Sequence, residues 1–425
     1  MKRKLLFGER MLHGDGNTPF NSVIPVRIRG DFSAAALNHA LVRLQQKHPL
    51  LNAFIENDET NRPWFAVDKD RPVRIPVRVI PRYSDSDQEV ETVREWLTPF
   101  DTAKGPMLRI VWIKGGGVSD LLMVIHHCLC DGGSAMSILA ALLELLDDGD
   151  ANIGQETPIK GMTDIVPVDI LEDKRKVLKA RFIGYVATLA LWIIPVNKKA
   201  VDRQNDYLIQ WSVDSDKLAA LSRFCKNSGV TINTFFCTAL LQAFKEVRKD
   251  KAHNKVSCPV DIRRFNPKIK RDHIFAFGLM FVVSAYPKLD FISNVKAIQK
   301  DIKEKMKKLN PYLLMMVLEN AHPVLEKFTR FLKYGKSSND CMFSNLGNLT
   351  IPYQYNTFEL EMINSPSVIG PLGNTTSLVI STYRGQMSLS LVGSEGYLPY
   401  ADAQAIQHKL MSILEEQLIT RLEPA

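Results

Sequence analysis

Two adjacent histidines end an apolar segment in the sequence Val124-Ile125-His126-His127-Cys128-Leu129-Cys130-Asp131-Gly132-Gly133. The uncharged residues 121–125 predict a strand that is covered on both faces. Apolar residues at helical spacing then predict a helix over residues 134–147. Because successive strand side chains point to opposite faces, one histidine can face the packed interior while the other faces an open channel.

Histidine is the side chain best suited to accept and return a proton near neutral pH, so this turn is the predicted reaction centre. Two other interpretations stay open. Both histidines could be core residues that hydrogen-bond to backbone carbonyls. They could also join Asp131 at a metal site, but the sequence offers no further ligands at a recognisable spacing, so we expect no metal.

The motif His126-His127-x-x-x-Asp131-Gly132 resembles the signature of the chloramphenicol acetyltransferase-like, coenzyme-A-dependent acyltransferases. This superfamily includes condensation domains of peptide synthetases, alcohol acetyltransferases and polyketide-associated acyltransferases. Further similar segments cover nearly the whole chain, at residues 28–33, 47–50, 229–234, 259–264, 343–347 and 381–385. The resemblance implies an α/β (α+β) fold of two chloramphenicol acetyltransferase-like lobes, each a mixed β-sheet with flanking helices, with an active-site channel between them.

The order of strand, Asp/Ser cap and amphipathic helix occurs twice, in residues 24–44 and in residues 207–224. We therefore expect two related halves. Residues 1–165 are expected to form an N-terminal lobe that carries the histidine motif. Residues 166–204 are expected to be a linker with an apolar helix, and residues 205–425 a C-terminal lobe.

The resemblance assigns the role of general base to His127, the second histidine of the motif, and leaves His126 as its inward-facing structural partner. Asp131 could be a charge partner of the His127 ring. The resemblance implies instead that Asp131 forms a structural ion pair, with Arg263 or Arg264, that shapes the turn. We favour this second role because an aspartate four residues beyond a strand end need not reach the imidazole.

Gly132 and Gly133 would leave room for the approach of a pantetheine arm, although a tight turn before a helix also explains them. The tetrahedral intermediate of acyl transfer needs a hydrogen-bond donor for its oxyanion. Ser344 and Asn345 are the candidates, because their segment resembles one that borders the channel of the family. A capped turn before Gly347 explains the same residues about as well.

Direct attack on a thioester needs no covalent acyl-enzyme, so we assign no serine or cysteine as a nucleophile. Cys128 and Cys130 flank an apolar residue without a cationic neighbour and are expected to be packing residues. The chain has six cysteines and no C-x-x-C pair, which favours buried free thiols in a reducing compartment. The apolar part of the first nine residues is too short for a secretory signal, so we expect a cytoplasmic protein.

The net charge of +8 suits an anionic partner, such as coenzyme A or an acidic carrier protein, but it could equally serve solubility. No basic helix with interleaved aromatic residues is evident, so nucleic acid is not expected as a partner. The lysines of the amphipathic helix predicted over residues 294–309 are interpreted as a solvated face, with carrier docking as the alternative.

Residues 182–196 are almost wholly apolar and have basic residues on both sides. The segment is shorter than the roughly 20 residues that span a bilayer. We expect a helix packed against the protein, with peripheral membrane contact as the alternative. The cytoplasmic protein would then be membrane-associated.

These observations predict a free-standing acyltransferase, because the length leaves no room for an attached adenylation or carrier domain. It would move an acyl group from a coenzyme A or phosphopantetheinyl carrier thioester to the hydroxyl of a small alcohol or lipid-like acceptor. We expect no tightly bound cofactor. Two alternatives stay open: a condensation-type enzyme that forms amides from carrier-bound substrates, and a non-catalytic module that binds a carrier.

Overall fold

The computed structural model describes residues 1–68, 70, 73–195, 203–334 and 338–419. Its strands are β1 (Lys2–Lys4), β2 (Asn21–Gly30), β3 (Phe54–Asn57), β4 (Pro63–Ala66), β5 (Val77–Pro81), β6 (Leu108–Lys114), β7 (Val118–His126), β8 (Asp206–Val213), β9 (Lys255–Pro259), β10 (Met280–Ser284), β11 (Cys341–Asn348), β12 (Phe358–Ile363), β13 (Ser367–Val368), β14 (Ser377–Tyr383) and β15 (Gln386–Ser394). Its α-helices are α1 (Phe7–His13), α2 (Ala34–Lys47), α3 (Asp87–Leu97), α4 (Gly132–Asp147), α5 (Met162–Ile165), α6 (Val168–Glu172), α7 (Lys174–Ile193), α8 (Ser215–Asn227), α9 (Ile232–Arg248), α10 (Phe291–Lys308), α11 (Pro311–Asn320), α12 (Leu325–Tyr334) and α13 (Tyr400–Ile419).

Two large sheets form the two lobes. The first has the strand order β12-β2-β7-β6-β5, with β13 also paired to β2, and the second has the order β10-β9-β11-β14-β15-β8. Both sheets are mixed, because β5 is parallel to β6 and β11 is parallel to β9 and β14, while the other pairs are antiparallel. A small sheet of order β1-β4-β3 adjoins them. This architecture confirms the predicted fold class.

The sheet that carries the histidine motif is completed by the second half of the chain. Strand β12 pairs with β2, so that Phe358 lies opposite Gly30 and Ile363 lies opposite Val26. The two lobes are therefore joined by backbone hydrogen bonds as well as by side chains. The lobe boundaries expected at residues 165 and 205 stay a prediction, and residues 196–202 of the expected linker lie outside the described residues.

Each lobe has its own apolar core. In the first lobe, α2 and α4 pack on the sheet through residues such as Leu143, and in the second lobe α9 and α13 pack through residues such as Phe236. A third cluster joins the lobes, where Val124 of β7 lies with Leu208 of β8 and Val392 of β15. Burial of these side chains stabilises the two-lobed arrangement.

The repeated strand-cap-helix unit is confirmed by β2 with α2 and by β8 with α8. The hydroxyl of Ser33 accepts a hydrogen bond from the backbone N–H of Ala36, at 3.0 Å, so Ser33 rather than Asp31 caps α2. The carboxylate of Asp214 accepts one from the N–H of Lys217, at 2.8 Å, and caps α8. These caps satisfy N–H groups that have no partner inside the helix.

The expected packed helix in the linker is packed on one side only. Helix α7 begins at Lys174, eight residues before the apolar segment, and most of its large apolar side chains are exposed. Only Ala180 and Gly184 are buried, because α7 contacts α11 along a narrow stripe. No helix within the described ranges is long and apolar enough to cross a membrane.

Candidate functional site

Strand β7 delivers the two histidines from the middle of the first sheet, between β2 and β6. Asn21 of β2 lies opposite His126. The backbone N–H of His127 donates to the carbonyl of Phe20 at 2.7 Å, and that of His126 donates to the carbonyl of Met107 at 3.0 Å. Neighbouring segments on both sides therefore fix the backbone of the pair.

The ring of His127 has a defined tautomer. Its Nδ1 lies 3.1 Å from the carbonyl oxygen of Cys130, and because a carbonyl only accepts, Nδ1 must carry the hydrogen. Nε2 then keeps its lone pair, and it forms no hydrogen bond within the described part of the chain. The ring of Phe20 packs edge-on against the imidazole, with 5.3 Å between centroids.

Burial lowers the pKa of His127. The hydrogen bond to Cys130 and the negative charge of Asp131 act in the opposite direction but do not outweigh burial. The imidazole is therefore neutral at pH 7. A partly exposed, neutral ring with a free Nε2 lone pair can accept a proton from a group that approaches it.

His126 has the environment of a structural residue. Its side chain is buried, and its Nδ1 accepts a hydrogen bond from the backbone N–H of Cys128 at 3.3 Å. The rings of His13 and Phe100 each lie 6.2 Å from its ring, measured between centroids. Burial, and then repulsion from the basic groups of His13, His127 and Arg109, lower the pKa of His126 to about 3, so this ring is neutral as well.

Asp131 joins the motif to the second half of the chain. Its Oδ1 accepts a hydrogen bond from the N–H of Ser134 at 2.9 Å and caps α4, while its Oδ2 lies 2.7 Å from Nη1 of Arg263. Arg263 also donates to the hydroxyl of Ser134 at 2.7 Å and lies over the ring of Phe275. Arg264 is exposed and forms no ion pair with any described residue. The contacts of Asp131 are therefore those of a cap and an ion pair.

Burial acts to lower the pKa of Arg263, but the charges and hydrogen bonds of Asp131 and Asp261 together outweigh burial and raise that pKa. The guanidinium therefore stays charged in a largely buried position. Removal of Arg263 would leave Asp131 without its ion-pair partner, whereas removal of Asp131 would leave Arg263 paired only with Asp261, at 3.2 Å.

Strand β11 brings Ser344 and Asn345 toward the start of α4. The register of β11 against β14 shifts between Asn345 and Asn348, and Gly347 there has a φ of +74°. In this bulge, Cδ2 of Leu346 lies 2.9 Å from the position that a Cβ of Gly132 would occupy. Bulges of this kind redirect side chains beside functional sites.

A Cβ on Gly132 would meet only the end of the Leu346 side chain, which would have to shift to make room. A Cβ on Gly133 would meet only ordinary contacts, 3.4 Å from Asp131 and 3.5 Å from Arg263. The approach of a thioester arm past these glycines stays a prediction.

The side chains of Ser344 and Asn345 on β11 carry hydrogen-bond donors that could serve an oxyanion. Asn345 accepts a hydrogen bond through Oδ1 from the N–H of Gly347, at 2.8 Å, as in a capped turn. Neither its side-chain NH₂ nor the hydroxyl of Ser344 donates to another described residue. Both residues are partly buried. Their role at an oxyanion stays a prediction.

Two contacts of the site were not foreseen from the sequence. His13, at the end of α1, lies beside His126 through a long-range contact that no local pattern indicates. The hydroxyl of Ser134 accepts a hydrogen bond from Arg263, in addition to the ion pair of Arg263 with Asp131. The position of Ser134, three residues after a capping aspartate, could have indicated that it belongs to the site.

All six cysteines are buried and free, which confirms the expectation from their spacing. Burial raises the pKa of the Cys128 and Cys130 thiols, so neither is poised as a thiolate nucleophile. Among the described residues, no three histidine, cysteine, aspartate or glutamate side chains converge as metal ligands.

A cleft of about 600 Å³ lies elsewhere, between the lobes, with Arg27, Asp85 and Arg384 in its lining. Along β2, Arg27 is opposite Asp120, whereas Asn21 is opposite His126. Six strand residues separate the two positions, which corresponds to roughly 20 Å. This cleft is therefore distinct from the histidine turn.

The family model of the condensation domain matches residues 9–312. The chain belongs to the condensation-domain family. The matched range contains the histidine turn, Asp131 and Arg263, and it ends before β11. This family consists of transferases that move acyl groups.

Curated relatives match parts of this condensation-domain chain. Bacitracin synthase 3 of Bacillus licheniformis is 22% identical over 224 residues, which cover 51% of this chain and 3% of that protein. Cyclosporin synthetase simA of Tolypocladium inflatum is 31% identical over 143 residues, which cover 32% of this chain and 1% of that protein. The chain thus spans a small fraction of the length of these relatives.

Solved structures share the fold over nearly the whole chain. Polyketide synthase associated protein 5 of Mycobacterium tuberculosis is 17% identical with a TM-score of 0.65, covering 97% of this chain and 98% of that one. Trichothecene 15-O-acetyltransferase of Fusarium sporotrichioides is 14% identical with a TM-score of 0.72, covering 97% and 95%. The first condensation domain of the CDA synthetase is 15% identical with a TM-score of 0.71, covering 98% and 96%. At these identities the likeness shows the fold alone.

Proposed function

We propose that this protein transfers an acyl group from a thioester to a hydroxyl or amine acceptor, with His127 as the general base. One observation carries the proposal: the hydrogen bond between Nδ1 of His127 and the carbonyl of Cys130, at 3.1 Å. It selects the tautomer whose Nε2 can accept a proton. The lowered pKa keeps that lone pair available at neutral pH.

In the proposed reaction, the acceptor O–H or N–H attacks the thioester carbon while Nε2 of His127 takes its proton. The C–S bond is intact in the resulting tetrahedral intermediate, whose oxyanion would accept hydrogen bonds from Ser344 or Asn345. Collapse of the intermediate breaks the C–S bond, and the departing sulfur takes the proton back from the imidazolium. The products are an ester or amide and a free thiol, with no acyl-enzyme.

Our leading proposal for the acceptor is a hydroxyl group. An amine acceptor, which would give an amide, fits the same geometry about equally well. Nonribosomal peptide synthetase 5 of Gibberella zeae, which is 25% identical over 133 residues, favours the amide, and the structural neighbour named as an O-acetyltransferase favours the ester. The donor is either acyl-coenzyme A or an acyl carrier protein. The net charge of +8 is compatible with both, since both donors are anionic.

The experiment incubates the chain with each donor, acetyl-coenzyme A or an acyl-loaded carrier protein, combined in turn with a simple alcohol and an amine. We expect acceptor-dependent release of the thiol and an ester or amide product detected by mass spectrometry. His127→Ala should abolish the release. His408→Ala, a change at an exposed histidine on α13, is the matched control and should leave it unchanged.

Three results would contradict the proposal. The first is full turnover by His127→Ala. The second is an acylated form of the protein detected by intact mass. The third is affinity for the carrier protein without turnover under any donor and acceptor combination, which would identify a binding module instead.

A further inference from the structure

Helix α7 presents a row of large apolar side chains to solvent. Leu178, Phe182, Tyr185, Trp192 and Ile193 are each between 67% and 69% exposed. Val186 and Leu189 lie among them and are about half exposed. We call these seven residues, which recur every three or four positions along one side of the helix, the α7 stripe. It extends for about 22 Å at 1.5 Å per residue.

The α7 stripe cannot turn toward the protein, because the other side of the helix is fixed. A Cβ on Gly184 would lie 2.8 Å from Cβ of Asn320 on α11, so the two backbones approach as closely as a glycine allows. Ala180 and Val177 continue this contact one and two turns earlier. The exposed stripe is thus the outward side of a firmly placed helix.

Positive charges border the α7 stripe at both ends. Lys174, Arg175, Lys176, Lys179 and Arg181 lie in the first half of α7, and the helix contains no acidic residue. At the other end, the ammonium group of Lys327 on α12 lies 5.9 Å from the centre of the Trp192 ring. This surface joins apolar and aromatic side chains to a basic border.

We propose that the α7 stripe lies on an anionic lipid surface, with the helix parallel to the membrane plane. Phe182, Leu189 and Ile193 would enter the acyl region, while Tyr185 and Trp192 suit the headgroup boundary. The basic border would contact anionic headgroups. The stripe fits a second copy of this chain less well, because positive charges at both ends would meet like charges in either orientation.

The inference does not depend on the acyl-transfer reaction. Helix α7 packs on α6, α11 and α12, and the histidine turn is held by β2, β6 and Arg263. Loss of membrane contact should therefore leave the turnover of water-soluble substrates unchanged. The two proposals can fail separately.

The experiment sediments the full chain with vesicles of phosphatidylcholine mixed with phosphatidylglycerol, and with vesicles of phosphatidylcholine alone. We expect binding to the mixed vesicles that falls as salt rises. The variant Phe182→Ser/Leu189→Ser/Trp192→Ser should bind about a hundredfold more weakly. Lys174→Gln/Lys179→Gln/Arg181→Gln should bind the mixed vesicles about a hundredfold more weakly.

The matched control is Tyr83→Ser/Val90→Ser/Leu97→Ser, which removes three exposed apolar side chains on and before α3. It should bind like the unchanged protein, and all variants should melt at similar temperatures. Sedimentation no greater than that of a soluble protein of similar size overturns the proposal. Unchanged vesicle binding by the variant Phe182→Ser/Leu189→Ser/Trp192→Ser also overturns it. So does a result in which the unchanged protein does not bind vesicles but forms a dimer, and this variant is monomeric.

Discussion

Helices α4 and α7 both consist largely of apolar residues and both begin at a capping aspartate, yet they end in opposite environments. In α4 the side chains of Ile138, Leu139, Leu142, Leu143, Leu145 and Leu146 are all buried. In α7 only Ala180 and Gly184 are buried. The difference arises from what surrounds each helix, since α4 begins at the centre of a sheet and α7 touches the protein through small residues.

This comparison shows that apolar composition predicts a helix but not the surface on which it packs. Strand β7 leads directly into α4, so the sheet and α2 close around it. Helix α7 follows the short helix α6 after one residue and reaches α11 along one narrow side. The turn before α4 therefore has a fixed geometry suited to chemistry, whereas the outward side of α7 is available to a partner.

The largest expected contrast concerns activity. His127→Ala, in the turn before α4, should lower the rate of acyl transfer by about 10²–10⁴-fold, because the proton acceptor is lost. Tyr185→Ala on α7 should leave the rate with soluble substrates unchanged. Steady-state turnover with the productive donor and acceptor measures both, and equal losses would show that the two regions do not differ as described.

The second contrast concerns stability. Leu143→Ala in α4 should lower the free energy of unfolding by about 2–5 kcal/mol, because it opens a cavity in the core. The same change at Leu189 in α7 should alter it by no more than about 0.5 kcal/mol. Urea unfolding of the two variants tests this pair. A comparable loss at Leu189 would mean that α7 is covered by protein in solution.

The two capping aspartates provide a smaller contrast. Asp131→Ala removes the cap of α4 and the closer of the two carboxylates that pair with Arg263, so the free energy of unfolding should fall by about 2–3 kcal/mol. Asp173→Ala removes the cap of α7 and an ion pair with Lys176 near the surface, so its effect on the free energy of unfolding should be smaller. Thermal melts should rank them in this order, and the reverse order would argue against the ion pair.

The smallest effect is a displacement of the pH profile. Because burial lowers the pKa of His127 below its ordinary value of 6.5, the neutral base should persist as the pH falls past 6.5. The acidic limb of kcat/KM should therefore have its midpoint below pH 6.5. A midpoint above that value would indicate that the ring is solvated or paired with a carboxylate.

Local patterns predicted much of the fold. Alternating residues, caps and apolar residues at helical spacing indicated β2, α2, β7 and α4. The crossing of β12 into the first sheet could not be predicted, because pairing between distant strands leaves no local pattern. The exposure of α7 was also missed, since an apolar stripe of helical period normally marks a packed face.

Within the site, the sequence indicated the histidine turn, the family resemblance implied an ion pair of Asp131 with Arg263 or Arg264, and the structure shows Arg263 as a partner. It could not indicate the tautomer of His127, because a backbone carbonyl determines it and every residue has one. It also missed the contact of Leu346 with Gly132, which depends on a bulge in a strand far along the chain.

The account depends most directly on the protonation of one ring, which nitrogen NMR of histidine-labelled protein can measure. Comparison with His127→Asn assigns the signal of His127. At pH 7 we predict a neutral imidazole with its hydrogen on Nδ1 and an unprotonated Nε2. A doubly protonated ring, or a hydrogen on Nε2, would contradict the assignment of His127 as the base.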